Sequence, residues 1–127
     1  MLSWFRRFKK TELKYLIVID TGYHSHQLSR ALLKSGRYAM VAYIDEEPWN
    51  HLNLMNGARI HYPSELQALA EKHRVDVVIK FAGEGWQPDK GCLSALEKIR
   101  VKYICLEPGI TQEDQFRIVA QQLSVDD

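Results

Sequence analysis

The sequence predicts an α/β fold, a mostly parallel five-stranded sheet covered by helices on both faces. Two observations carry this prediction. In "KYLIVID", residues 14–20, a continuous apolar run is bounded by charge and then by a glycine, as in a strand buried on both faces. Beyond it, apolar runs of strand length alternate with segments of about ten residues whose apolar side chains recur at helical spacing.

The elements follow in order. From about Ser25 to Ser35, Leu28, Ala31 and Leu32 recur at helical spacing, and Gly36 suits the residue just past a helix end. "YAMVAYID" predicts a second strand, Tyr38 to about Ile44. "EEPWNHLNLMNG" reads as a loop, opened by Pro48 and ending in the turn signal Asn56-Gly57. "ARIHY" makes a short third strand. Ser64 after Pro63 reads as an N-cap, with Leu66, Leu69, Ala70 and His73 at i, i+3, i+4 and i+7. "VDVVIKFA", Val75 to Ala82, is the fourth strand, and "GEGWQP" is the loop beyond it. Leu93, Leu96 and Ile99 give the next helix one apolar face, and "VKYICL" is the fifth strand. Thr111, with Asp114 three residues on, resembles a capping box opening a last helix through Phe116, Val119 and Leu123. Right-handed crossovers leave few topologies, and the expected one is a three-layer Rossmann-like fold with strand order 3-2-1-4-5.

A chain of 127 residues suits one domain, here residues 13–123, preceded by a basic amphipathic segment, residues 1–12. The formal net charge of +1 gives no reason to expect a nucleic-acid partner. Cys92 and Cys105 form no C-x-x-C pair, and Cys105 lies in an apolar run, so buried reduced thiols are expected. No apolar run approaches the roughly 20 residues that span a bilayer, and no signal-peptide pattern opens the chain. A cytoplasmic protein is expected. In "MLSWFRRFKK", Leu2, Phe5 and Phe8 fall near one helical face, with Trp4 and the cations Arg6, Arg7, Lys9 and Lys10 around it. Two readings stand: an interfacial helix on anionic lipid, peripheral to the inner membrane, or a short helix packed on the domain or a partner.

Ligands of such folds bind beyond the carboxyl ends of the strands, at the switch point between the first and fourth. The first loop of a dinucleotide binder reads G-x-G-x-x-G; here Asp20, Gly22 and Ser25 hold the three glycine positions. A carboxylate in the first position repels a pyrophosphate by several kcal/mol at about 4 Å and intermediate dielectric. Asp45, followed by Glu46 and Glu47, sits where such folds carry the acid that binds a ribose; a solvated acid cluster is the other reading. His24 stands at a helix N-terminus, where an anion is favoured, or is an exposed loop histidine. Gly83, Glu84 and Gly85 give permissive backbone after the fourth strand. Trp86 and Trp49 stack on a base, or else cap the core or fill a homodimer contact. Lys80 lies in a buried strand, and Asp20, Asp45 and Glu84 are its candidate partners. His24 and His26 do not share a helical face, and His51, His61 and His73 are distant in sequence, so no metal site is expected. No Ser-His-Asp, Cys-His, HExxH or Walker A pattern is present, and no catalytic residue is assigned; His24 with Asp45 or Glu84 is the one acid–base pair available.

Residues 14–110 carry further motifs: Ile44-Asp45-Glu46 with Pro48, Asn56-Gly57, Ser64 with Leu66, and Val75-Asp76-Val77-Val78-Ile79. Together they resemble the Rossmann-like, CoA-binding-like N-terminal domain of bacterial polysaccharide-biosynthesis nucleotide-sugar epimerases and dehydratases, and of UDP-amino-sugar acetyltransferases. In the acetyltransferase branch the first loop often reads G-G-H-G, and Tyr23-His24-Ser25 is similar to it. The resemblance implies a UDP-sugar ligand contacted by Gly22, Tyr23, His24, Asp45 and Glu46. The catalytic domain that follows in both branches is not in this sequence, so complete epimerase or acetyltransferase activity is not expected. The expected function is a stand-alone binding or regulatory module for NAD, a UDP-sugar or another nucleotide. Its expected contacts are Gly22, Tyr23, His24, Ser25, Asp45, Glu46, Gly83, Glu84, Gly85 and Trp86. The competing expectation is a non-catalytic interaction domain with a decayed ligand site, held at the membrane by residues 1–10.

Overall fold

In the computed structural model, residues 12–123 are described. Strands β1 (Lys14–Ile19), β2 (Tyr38–Ile44), β3 (Leu54–Met55), β4 (Ala58–His61), β5 (Val77–Phe81) and β6 (Lys102–Leu106) form one sheet of order β3-β4-β2-β1-β5-β6. Helices α1 (Tyr23–Lys34), α2 (Leu66–Lys72), α3 (Lys90–Lys98) and α4 (Gln112–Gln122) connect and cover it. Five strands are parallel in the expected order, and the chain has a Rossmann-like α/β fold.

The continuous apolar run of β1 has the expected cause. Leu16, Ile17, Val18 and Ile19 are all fully buried. Leu16 and Val18 pack with Leu28 and Leu32 of α1 and Val119 of α4. Ile17 and Ile19 pack with Leu66 and Ala70 of α2 and Leu96 of α3. Alternate side chains of one strand therefore enter two separate helix layers, and no polar face remains. A bulge between Leu16 and Ile17 gives β2 one extra residue, since Leu16 pairs with Met40 and Ile17 with Ala42.

The structure departs from the sequence reading in three places. The expected loop before Asn56 contains β3, which pairs antiparallel with β4 through a two-residue turn. Asn56 and Gly57 both have positive φ, at 49° and 80°, the conformation that Asn-Gly favours in hairpins. The strand is only two residues long and Leu54 is 62% exposed, so no alternating pattern announces it. Ser64 is not the cap of α2. It lies in a 3-10 turn, Pro63–Glu65, where the Glu65 carboxylate accepts the Tyr62 N–H at 2.8 Å. Cys105 is exposed and Cys92 half-buried rather than buried; β6 is an edge strand, whose core contacts are Ile104, Leu106 and the partly buried Tyr103. Thr111 does cap α4, accepting the Asp114 N–H at 3.1 Å, and Gly36 follows α1 with a φ of 77°. Asp89 caps α3 by accepting the Cys92 N–H at 2.7 Å, a signal the apolar pattern did not use. Among the described residues no helix is long and apolar enough to cross a membrane. The amphipathic segment 1–10 lies outside the described residues.

Candidate functional site

Strand order reverses between β1 and β5, so the loops after these strands flank the cleft where such sheets take ligands. Asp20 follows β1 with a φ of 85°, in the left-handed region that glycine prefers and aspartate tolerates better than most residues. The loop thus keeps a glycine conformation at the first fingerprint position while carrying a carboxylate there. That carboxylate accepts the Gly22 N–H at 3.2 Å. It also lies against the loop after β5. A Cβ added at Gly85 would fall 2.6 Å from the Asp20 Cβ, and one at Gly22 would fall 2.9 Å from its Oδ2. Asp20 fits the crook between the two loops only because both neighbours are glycine. The side chain therefore sits where the fingerprint loop would bring its backbone to a pyrophosphate.

Gly22 is the N-cap of α1, with no side-chain cap and no acid in the first turn. The first helical bond runs from the His26 N–H to the Gly22 carbonyl at 3.0 Å. The N–H groups of Tyr23, His24 and Ser25 have no acceptor among the described residues. Ser25 is fully buried, and its hydroxyl donates to the Ile19 carbonyl at 3.2 Å. Its small side chain does what the third glycine does in the fingerprint, letting helix and strand approach. His24 Nδ1–H donates to Glu84 Oε2 at 2.8 Å, which ties the first turn of α1 to the loop after β5. The imidazole also lies 5.4 Å from the Phe81 ring, centroid to centroid. Gly83 and Gly85 have φ values of 77° and 74°, so this loop needs both glycines. A cavity of about 290 Å³ opens beside His24, lined by Tyr23, Gln27, Pro108, Ile110 and Gln115.

Lys80 finds no carboxylate among the described residues. It lies on the same face of β5 as Val78, and its Nζ donates to the Phe81 carbonyl at 3.1 Å and to the Glu84 carbonyl. The buried ammonium therefore shapes the Gly83–Gly85 turn through main-chain oxygens. Asp45 is occupied as well. Its Oδ2 accepts Asn50 Nδ2–H at 2.7 Å and the Thr21 hydroxyl at 3.2 Å, which joins the loops after β1 and β2. Glu46 is exposed. Trp86 is half-buried against the α2–α3 layer, and Trp49 is 73% exposed.

One group brought together by the fold was missed from the sequence. His51, His61 and Glu65 converge at the carboxyl end of β4. Partial burial opposes ionisation of Glu65. The Tyr62 N–H and the His61 and His51 rings outweigh it and hold the carboxyl down at about 2. The His61-x-x-x-Glu65 spacing is visible in the sequence, but nothing local announces His51 as its neighbour.

No protein-family model matches the chain, and no curated protein sequence does. Solved structures do match. UDP-D-quinovosamine 4-dehydrogenase from Vibrio fischeri is 23% identical with a TM-score of 0.62, over 91% of this chain and 90% of that one. RSP, a Rex-family repressor, is 9% identical with a TM-score of 0.60, over 97% of this chain and 65% of that one. Homoserine dehydrogenase from S. aureus is 10% identical with a TM-score of 0.54, over 87% of this chain and 30% of that one. The repressor has also been solved with β-NADH. The likeness at these identities is one of fold: the chain has the Rossmann-like architecture of these proteins.

Proposed function

We propose that the chain is a binding module for a nucleotide or nucleotide-sugar, seated between the loops after β1 and β5, with a regulatory role in bacterial surface-polysaccharide biosynthesis. The observation that carries this reading is the start of α1, where the accessible N–H groups of Tyr23 and His24 stand at the switch point without an acceptor among the described residues. Asp20 takes the Gly22 N–H, so an anionic group binds at the next turn, at the N–H groups of Tyr23 and His24. Asp45, bonded to Thr21 of the loop after β1, extends the proposed contacts with its neighbour Glu46 and with Trp86. The shared fold of a UDP-sugar dehydrogenase and an NADH-bound repressor supports a nucleotide as the ligand class, and the motif resemblance supports the sugar-nucleotide branch. His24 and Glu84 are the acid–base pair on hand, and their mutual bond ties the first turn of α1 to the loop after β5.

Titration of 15N-labelled protein with NAD, UDP-N-acetylglucosamine, CoA and AMP tests this. At least one ligand should shift the amide resonances of Tyr23–Ser25 and Gly83–Gly85. Well-folded protein that responds to none of them would overturn it.

Asp20 itself favours a second reading, because its carboxylate already fills part of the cleft. On that reading the chain is an interaction domain with a decayed site, held at the membrane through Leu2, Trp4, Phe5 and Phe8. Co-sedimentation with anionic liposomes should then require residues 1–10. Equal sedimentation with and without them would remove the anchor.

A further inference from the structure

One cluster plays no part in the cleft. We propose that His51, His61 and Glu65 form a binding site for a divalent transition-metal ion of the zinc class. His51 Nε2 lies 3.0 Å from Glu65 Oε2, and His61 Nδ1 lies 3.0 Å from Glu65 Oε1. One donor atom from each residue falls within 4.8 Å of the other two. Ligands about 2.1 Å from a tetrahedral ion stand about 3.4 Å apart, so small side-chain rotations would seat an ion among these atoms. Two imidazoles and a carboxylate suit zinc, copper or nickel; calcium and magnesium prefer all-oxygen shells.

The donors are held from outside the cluster. His61 is the last residue of β4, paired with Ile44, and its carbonyl accepts the Asp45 N–H at 3.0 Å. Glu65 is fixed by the Tyr62 N–H at 2.8 Å. The His51 ring stacks on Tyr62 with centroids 3.9 Å apart and planes 8° from parallel. Such support is what metal ligands need in order to keep their orientation. The side chains of His51, His61 and Glu65 are 26%, 19% and 36% exposed. An ion can therefore enter from solvent, and its fourth position is open to water or an anion. The site lies at the carboxyl edge of the sheet, next to Asp45, and does not depend on the nucleotide reading.

The test uses the untagged full chain, stripped with a chelator and titrated with zinc chloride in a calorimeter. A single ion should bind. His51→Ala and His61→Ala should each weaken binding by at least about tenfold, since the loss even of outer-shell partners costs about 10–100-fold. His73→Ala should leave it unchanged. If a variant fails to fold, the wild-type imidazole 15N resonances decide instead: zinc should shift those of His51 and His61. No binding at micromolar zinc, full binding in both histidine variants, or shifts confined to other histidines would overturn the proposal.

Discussion

Asp20 decides what the cleft accepts. Its φ of 85° is one a glycine would adopt more easily, and its carboxylate presses against two glycines. Asp20→Gly should therefore fold and free the Gly22 N–H. If the nucleotide reading holds, affinity for a pyrophosphate-bearing ligand should rise by at least about tenfold, because removing a nearby like charge is worth more than the ~1.4 kcal/mol this requires. Calorimetry on both proteins reads the difference, and unchanged affinity would show that the ligand avoids Asp20. Gly85→Ala should cost about 1–3 kcal/mol in urea unfolding, from positive-φ strain together with the clash against Asp20. In the Asp20→Gly background only the strain remains. The two substitutions should be non-additive, and additivity would mean that the side chains do not touch.

At the level of elements, each piece was legible in proportion to how much of its cause is local. β1 and β2 announced themselves because burial on both faces leaves a run with few polar residues. The cap of α4 was readable because Thr111 and Asp114 are three residues apart. The β3–β4 hairpin was half readable: Asn56-Gly57 gave the turn, but β3 is too short and exposed to show a period. The cap of α3 is a local signal that apolar spacing alone passes over. Asp89→Ala should therefore destabilise the protein by about 1 kcal/mol, measured by thermal or urea unfolding. A change near zero would mean that water replaces the cap without loss.

For the whole molecule, the two helix layers protect the middle of the sheet and leave its edges thin. β1 sits between β2 and β5 with Leu16–Ile19 fully buried, whereas β3 and β6 are edges with exposed residues. Native-state hydrogen exchange should show β1 and β5 amides opening only with global unfolding, and β3 and β6 exchanging through smaller openings. Equal protection across the sheet would contradict this. The sequence by itself determined the α/β class, the order of the parallel strands and the loops that flank the cleft, because period and turn chemistry are set by near neighbours. Only the tertiary structure decided which side chains stand in those loops. Asp20 turns toward Gly85 rather than Lys80, Trp86 packs half-buried against the α2–α3 layer, His24 bonds to Glu84, and His51 meets His61 and Glu65. Each of these depends on space and partners supplied by distant segments, and such contacts leave no periodic trace in the chain.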